Sequence, residues 1–239
     1  MEAQGDGFVV GGDIAVRLRR SARARRMSLR VTRAEGEVIL TLPLRASLAE
    51  GLAFARAREG WLRRVRAGLP PRPEVAHGVL IPVEGRALRV TPAALLRAPR
   101  VAGDRLELPE RAAPGPAAEV FLRQLARARL AAACDRHAAR LGRPFRAIVL
   151  RDTRSRWGSC SVDGRLMFSW RLVMAPPEVL DYVAAHEVAH LQHMDHSPAF
   201  WATTARLAGD PAAPRAWLRA NGAGLLAWRF SASRGGIAG

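Results

Sequence analysis

The segment HEVAHLQHMDHSPAFW, residues 186–201, holds four of the six histidines in the chain. Its first five residues fit H-E-x-x-H. On a helix, residues four apart are separated by about 400° of turn, so His186 and His190 project from nearly the same face and two imidazoles can reach one zinc ion. Glu187, next to the first imidazole, is placed to act on water without ligating the metal. Zinc brings the pKa of bound water toward about 7, and the carboxylate then takes its proton as general base. A single buried histidine is usually a hydrogen-bonded core residue. Several imidazoles and a carboxylate buried together would all need partners, and a metal answers that need.

A catalytic zinc site usually has three protein ligands and keeps one position open. No glutamate follows Glu187, which leaves His193, Asp195, His196 and Asp210 as downstream candidates. His193 lies on the helical face of His186 but about 10 Å further along the axis, too far to share one tetrahedral ion with both other histidines unless the helix breaks early. His196 can return to the metal if the helix ends near Met194 and the chain turns. Asp195 would then cap the next helix, with Ser197 and Pro198 near its start. The spacing H-E-x-x-H-x5-H is also that of metzincins. Those carry glycine where His193 stands and a methionine further downstream, and no methionine follows Met194.

Upstream lies RSRWGSCS, residues 154–161. A strand here, beside the histidines, would offer backbone groups to an extended peptide. Arg156 is a candidate for neutralising an anionic substrate group. Tyr182, the only tyrosine, sits one turn before His186 and is a candidate for substrate contact, or for a core position behind the imidazole. Trp157 reads as a core residue, Gly158 as a point of close backbone approach, and Cys160 as a small buried hydrophobe rather than a nucleophile.

This block, with GRLMFSWRLVMAPPEVLDYVAAHEVAHLQHMDHSPAFW after it, resembles the YgjP-like metallopeptidase family, relatives of the minigluzincins and of SprT-like proteins. The resemblance is specific over about residues 145–201 and looser through RRSARARRMSLRV near the N-terminus. It implies zinc at His186, His190 and His196, Glu187 as general base, and a zincin-like helical core with a small sheet beside it. Ser169 departs from the pattern, which leads one to expect asparagine there.

The elements that must position these residues read as an α+β fold. Alternating stretches at 13–20, 26–33 and 37–43 predict strands, with a turn at 34–36. One amphipathic helix is expected over 47–68, opened by a Ser47–Glu50 capping box and ended by Gly68 and Pro70. Pro70, Pro71 and Pro73 form a stiff connector. Two more strands are expected at 78–90 and 100–109, and a linker at 110–119. A helix over 117–142 is closed by Gly142. A strand at 145–152 and a hairpin at 159–173, turning at Asp163-Gly164, precede the histidine helix that Pro176 and Pro177 open. The chain divides on this reading into a strand-rich N-terminal part (1–110), a zincin-like metal-binding part (111–230) and a frayed tail (231–239).

The net charge is +17, and all 38 basic residues are arginine. Such a surface attracts polyanions. The run RLRRSARARR, residues 17–26, is the densest patch; it has no aromatic residues of the kind that stack on single strands. It allows weak, non-specific nucleic-acid binding. No apolar run is long enough for a spanning helix, and the acidic N-terminal segment does not read as a secretory signal, so a cytoplasmic protein without a membrane partner is expected. Two cysteines make no disulfide framework. The residues point to a zinc-dependent hydrolase of metallopeptidase type acting on a peptide or protein. Two alternatives are a metal-dependent nucleoside triphosphate phosphohydrolase and a nucleic-acid-associated binding protein.

Overall fold

A computed structural model describes residues 7–32, 36–69, 71–153 and 156–230. The expected frayed tail, most of the turn at 34–36, Pro70 and the first two residues of RSRWGSCS lie outside the described residues. Among those described, six helices and three small sheets make a mixed α+β fold. The chain separates into two compact units, 1–72 and 73–239. The division thus falls within the proline connector and not at the 110–119 linker, because the strands of the second sheet pack with the helix that follows them.

In the first unit, strands β1 (Gly7–Val10), β2 (Ile14–Ser21), β3 (Ser28–Val31) and β4 (Val38–Pro43) form a sheet of order β1-β2-β4-β3. β1 was not expected; it folds back on β2 through Gly11 and Gly12, both at positive φ. The expected single helix is two, α1 (Leu48–Arg56) and α2 (Glu59–Ala67). The capping box at Ser47 and Glu50 forms as expected. The break comes at Arg58, whose amide bonds to Ala55 instead of Phe54. Its guanidinium takes the Phe54 carbonyl and lies over the Phe54 ring.

The second unit begins with another four-stranded sheet. Each expected strand proves to be a hairpin: β5 (Leu80–Val83) with β6 (Arg86–Ala93), and β7 (Arg100–Ala102) with β8 (Arg105–Pro109). Glu84 and Gly85 both have positive φ, the two-residue turn that suits strand twist. The order β5-β6-β8-β7, with β6 parallel to β8, repeats the topology of the first sheet, where β2 is parallel to β4. The repetition lies in connectivity and in the spacing of buried residues, such as Val38, Leu40 and Leu42 against Leu106 and Leu108.

Helix α3 (Pro114–Leu141) follows, ended by Gly142 at φ 71°. Its buried face runs Ala118, Leu122, Ala126, Leu130, Ala133 and Cys134. Strands β9 (Ala147–Arg151), β10 (Gly158–Cys160) and β11 (Arg165–Ser169) form a third sheet, of order β10-β11-β9. The hairpin turns between Ser161 and Arg165, and its second strand stops at Ser169, where a 3-10 turn (Trp170–Met174) takes over. Next come α4 (Pro177–Ala189), α5 (Pro198–Ala208) and α6 (Ala212–Ala227).

Helix α4 is held from three sides. Its small residues Ala184, Ala185 and Ala189 are buried, and α3 packs against it. Asp181 on α4 accepts from Arg136 of α3 and shares a 3.0 Å hydrogen bond with the buried His137. The β5–β6 turn abuts its N-terminus: the Glu84 amide donates to Val173 O, and a Cβ on Gly85 would come within 3.0 Å of Pro176. Beyond the helices, Arg171 is only 3% exposed. Its guanidinium binds Asp152 and the carbonyls of Leu225 and Trp228, tying β9 to the end of α6.

Candidate metal centre and cleft

Helix α4 presents His186 and Glu187 in its last turn, and His190 occupies its C-cap, still in right-handed helical conformation. The helix therefore ends at Ala189, earlier than the expected Met194. The chain then turns through 190–197 before Ser197 caps α5 by accepting the Phe200 amide. Asp195, expected as the cap, instead accepts the amide of Ser197 inside the turn.

This turn brings His196 back over α4. One ligand atom from each of His186, His190 and His196 lies within 4.8 Å of the others. The Nε2 atoms of His186 and His196 are 3.3 Å apart. Two nitrogens each about 2.05 Å from a tetrahedral ion are separated by roughly 3.3 Å, so this pair has the spacing of zinc ligands. His190 Nδ1 is 2.9 Å from the carbonyl of His193. Donating there leaves the Nε2 lone pair free. His193 thus meets the site through its backbone, not its ring. Below the three imidazoles lies the fully buried Phe200, stacked on His190 with centroids 4.4 Å apart.

Burial sets the electrostatics. It lowers the His186 pKa to about 4, with the charges of His190, His196 and Arg215 acting in the same direction. Burial also lowers His190. Neutral imidazoles are the ligating form. The Glu187 carboxyl is 5% exposed, and its burial pushes the pKa up to about 8, opposed by the charge of Arg156. A buried carboxyl with a raised pKa thus sits beside three imidazole nitrogens.

Strand β10 lies against Glu187. A Cβ on Gly158 would fall 2.5 Å from Glu187 Oε1 and 2.6 Å from Cγ, which accounts for glycine there. β10 is an edge strand. The Trp157 carbonyl accepts from Ser169, and the Ser161 amide donates to Arg165. By the alternation of an antiparallel ladder, the amides and carbonyls of Gly158 and Cys160 point away from β11.

A cleft of about 390 Å³ opens here, lined by Trp157, Gly158, Tyr182, His186, Glu187 and, from α6, Arg215 and Arg219. Tyr182 is buried, its ring centroid 6.0 Å from that of His186. Arg156 is exposed and acts on Glu187 through charge. Trp157 is half-buried and packs on the core as expected, while one face lines the cleft. Burial pushes the Cys160 thiol up to about 11, which keeps it un-ionised and unsuited to nucleophilic attack. Ser169 is fully buried. In the first unit, Arg17 is paired with Glu37 and Arg20 with the carbonyls of Leu44 and Ala46, so two members of the arginine run are already engaged.

A model of the YgjP-like metallopeptidase domain matches residues 25–221. The chain belongs to the YgjP-like metallopeptidase family. The match takes in the histidine segment, the β10–β11 hairpin and most of the N-terminal unit. Among curated proteins none matches the chain. A solved structure, the metallopeptidase zymogen of Pyrococcus abyssi abylysin, is similar over 39% of this chain and 92% of its own, at 18% identity and a TM-score of 0.35. Membership in the YgjP-like family carries a metallopeptidase-type hydrolase and an implied metal. Nothing in the family match supports a nucleotide or nucleic-acid partner. No helix among the described residues is long and apolar enough to cross a membrane.

Sequence reasoning missed Arg215 and Arg219. Both lie on α6, a helix rich in Ala, Arg and Leu that carries no motif.

Proposed function

We propose that the chain is a zinc-dependent peptidase of zincin-like design, with His186, His190 and His196 as ligands and Glu187 as general base. The observation that carries the reading is the convergence of three imidazole nitrogens within 4.8 Å beside a buried carboxylate. Zinc bound there supplies a Lewis acid and a divalent charge that acidifies water toward a pKa of about 7 and favours the ionised form of a neighbouring carboxylate.

The chain's own residues do the rest. His193 O orients His190. Glu187, out of bulk water, takes a proton from the attacking water at its carboxylate oxygen and returns it to the leaving amine. The outward amides and carbonyls of Gly158 and Cys160 suit an extended peptide laid along β10. Tyr182 and Arg156 stand at the margin as candidates for substrate contact, Tyr182 in the cleft wall and Arg156 through its charge on Glu187.

The test is Glu187→Gln. The amide is near-isosteric and is not a ligand, so zinc content should stay at the wild-type level while cleavage of a peptide library falls by about 10²-fold or more. A wild type that cleaves no peptide but hydrolyses nucleoside triphosphates, with that activity lost in Glu187→Gln, would overturn the peptidase reading.

A further inference from the structure

Helix α6 turns one face to the cleft, and that face is cationic. Arg215, Arg219 and Gly222 follow one another at helical spacing. A Cβ on Gly222 would lie 2.9 Å from the Trp157 ring, so this face meets the cleft wall directly. Arg215 and Arg219 line the cleft together with His186 and Glu187. The Arg215 guanidinium lies 4.9 Å from the centroid of Trp201, whose ring in turn is 5.7 Å from that of His196. That stack holds one cation at a set place beside the imidazoles.

No acid among the described residues pairs with these charges. After Glu187 the sequence has only two acidic residues, Asp195 and Asp210. Each already accepts a backbone amide, of Ser197 and of Ala212. Neither Arg215 nor Arg219 forms an ion pair among the described residues, and both are exposed. Some exposed arginines of the unit are matched, as Arg129 is with Glu84, Arg136 with Asp181 and Arg146 with Asp163, and others, such as Arg97 and Arg127, have no ion pair among the described residues; what sets Arg215 and Arg219 apart is their place on the cleft beside Glu187. Two unmatched cations four residues apart, lining a cleft together with Glu187, are a recognition element for a carboxylate.

We infer that Arg215 and Arg219 form an anion subsite that selects peptides carrying an acidic side chain or a terminal carboxylate next to the scissile bond. The inference rests on the peptidase reading above and adds its substrate class. The two arginines are specificity residues; neither touches the reacting bond.

The experiment uses the full-length, zinc-loaded chain and peptide pairs that differ only by Asp against Asn at positions flanking the cleaved bond. Arg215→Gln and Arg219→Gln remove charge from exposed positions and keep side-chain length. Wild type should prefer the Asp peptide by about tenfold, the discrimination a charge-assisted hydrogen bond commonly supplies, and each variant should erase most of that preference. Cleavage of the Asn peptide should fall far less than cleavage of the Asp peptide. A second readout needs no turnover: tryptophan fluorescence of Glu187→Gln should report Asp-peptide binding that weakens with salt, and less so once an arginine is removed. Equal loss on Asp and Asn peptides in the arginine variants, or no preference in wild type, overturns the subsite while the peptidase reading stands. If no peptide is bound or cleaved and a nucleoside triphosphate binds with the same dependence on both arginines, the peptidase reading fails and the acidic-peptide assignment fails with it.

Discussion

Replacing Gly158 by alanine tests how β10 and α4 fit together. The new Cβ would stand 2.5 Å from Glu187 Oε1, 2.6 Å from Cγ and 2.8 Å from Cδ, where ordinary contact begins near 3.4 Å. The backbone at Gly158 is not among those at positive φ, so the contact alone decides the outcome. Glu187 must withdraw by about 1 Å, and a displacement of that size in a reacting group costs roughly 10²-fold in rate. Overpacking of this kind also costs about 1–3 kcal/mol of stability. The assay has two arms. Steady-state cleavage by Gly158→Ala should fall by about two orders of magnitude with zinc content unchanged, since no ligand is touched. Urea denaturation of a double-mutant cycle then isolates the clash: the penalty of Gly158→Ala should shrink toward zero in a Glu187→Ala background, where the colliding atoms are gone. Wild-type activity in Gly158→Ala, or an undiminished penalty in the double mutant, would show that β10 does not press on this carboxylate.

Three further outcomes follow from the same packing. Arg171→Leu should destabilise the protein by about 3 kcal/mol in urea denaturation, because it leaves Asp152 and two carbonyls without their buried donor. In Asp181 the hydrogen bond to His137, aided by the charges of His137 and Arg136 and opposed by burial, holds the carboxyl below its ordinary value of 3.8. The folded protein then binds this proton less readily than the unfolded chain, so the contribution is complete above 3.8 and lost as pH falls through the lower folded value. Asp181→Asn should therefore be less stable than wild type at neutral pH, with the difference closing in acid; urea midpoints across pH measure it, and a constant gap would refute it. His193→Ala should leave zinc affinity within about threefold of wild type, since the residue contributes a main-chain carbonyl that alanine also carries.

The convergence of His186 and His190 was legible because their spacing is local. Two histidines four apart on a helix share a face whatever surrounds them, and Pro176-Pro177 announces where that helix starts. His196 entered through the family resemblance; helix geometry set His193 aside only for an unbroken helix, and a turn was the means by which His196 could return. The turn proved tighter than expected: α4 stops at Ala189, and the carbonyl of His193 becomes a partner for His190. Longer-range features were harder to read. Val83-Glu84-Gly85-Arg86 lacks the Asn-Gly or Asp-Gly signature of a two-residue turn, so a hairpin read as one strand. The break between α1 and α2 depends on a side chain, Arg58, competing for a carbonyl of its own helix. The two four-stranded sheets share their connectivity without a sequence repeat to betray it. Arg215 and Arg219 acquire meaning only when α6 is laid across the cleft, because arginines at that spacing on a solvent face are ordinary in a chain of this composition.

Zinc content of His196→Ala measured beside His193→Ala tests the central claim most directly. Wild type should carry one zinc per chain, and His193→Ala should equal it. His196→Ala should lose it, because two neutral imidazoles on one helix turn do not complete a tetrahedral set. Full zinc content in His196→Ala together with its loss in His193→Ala would contradict the account, for the metal would then sit on the opposite arm of the turn.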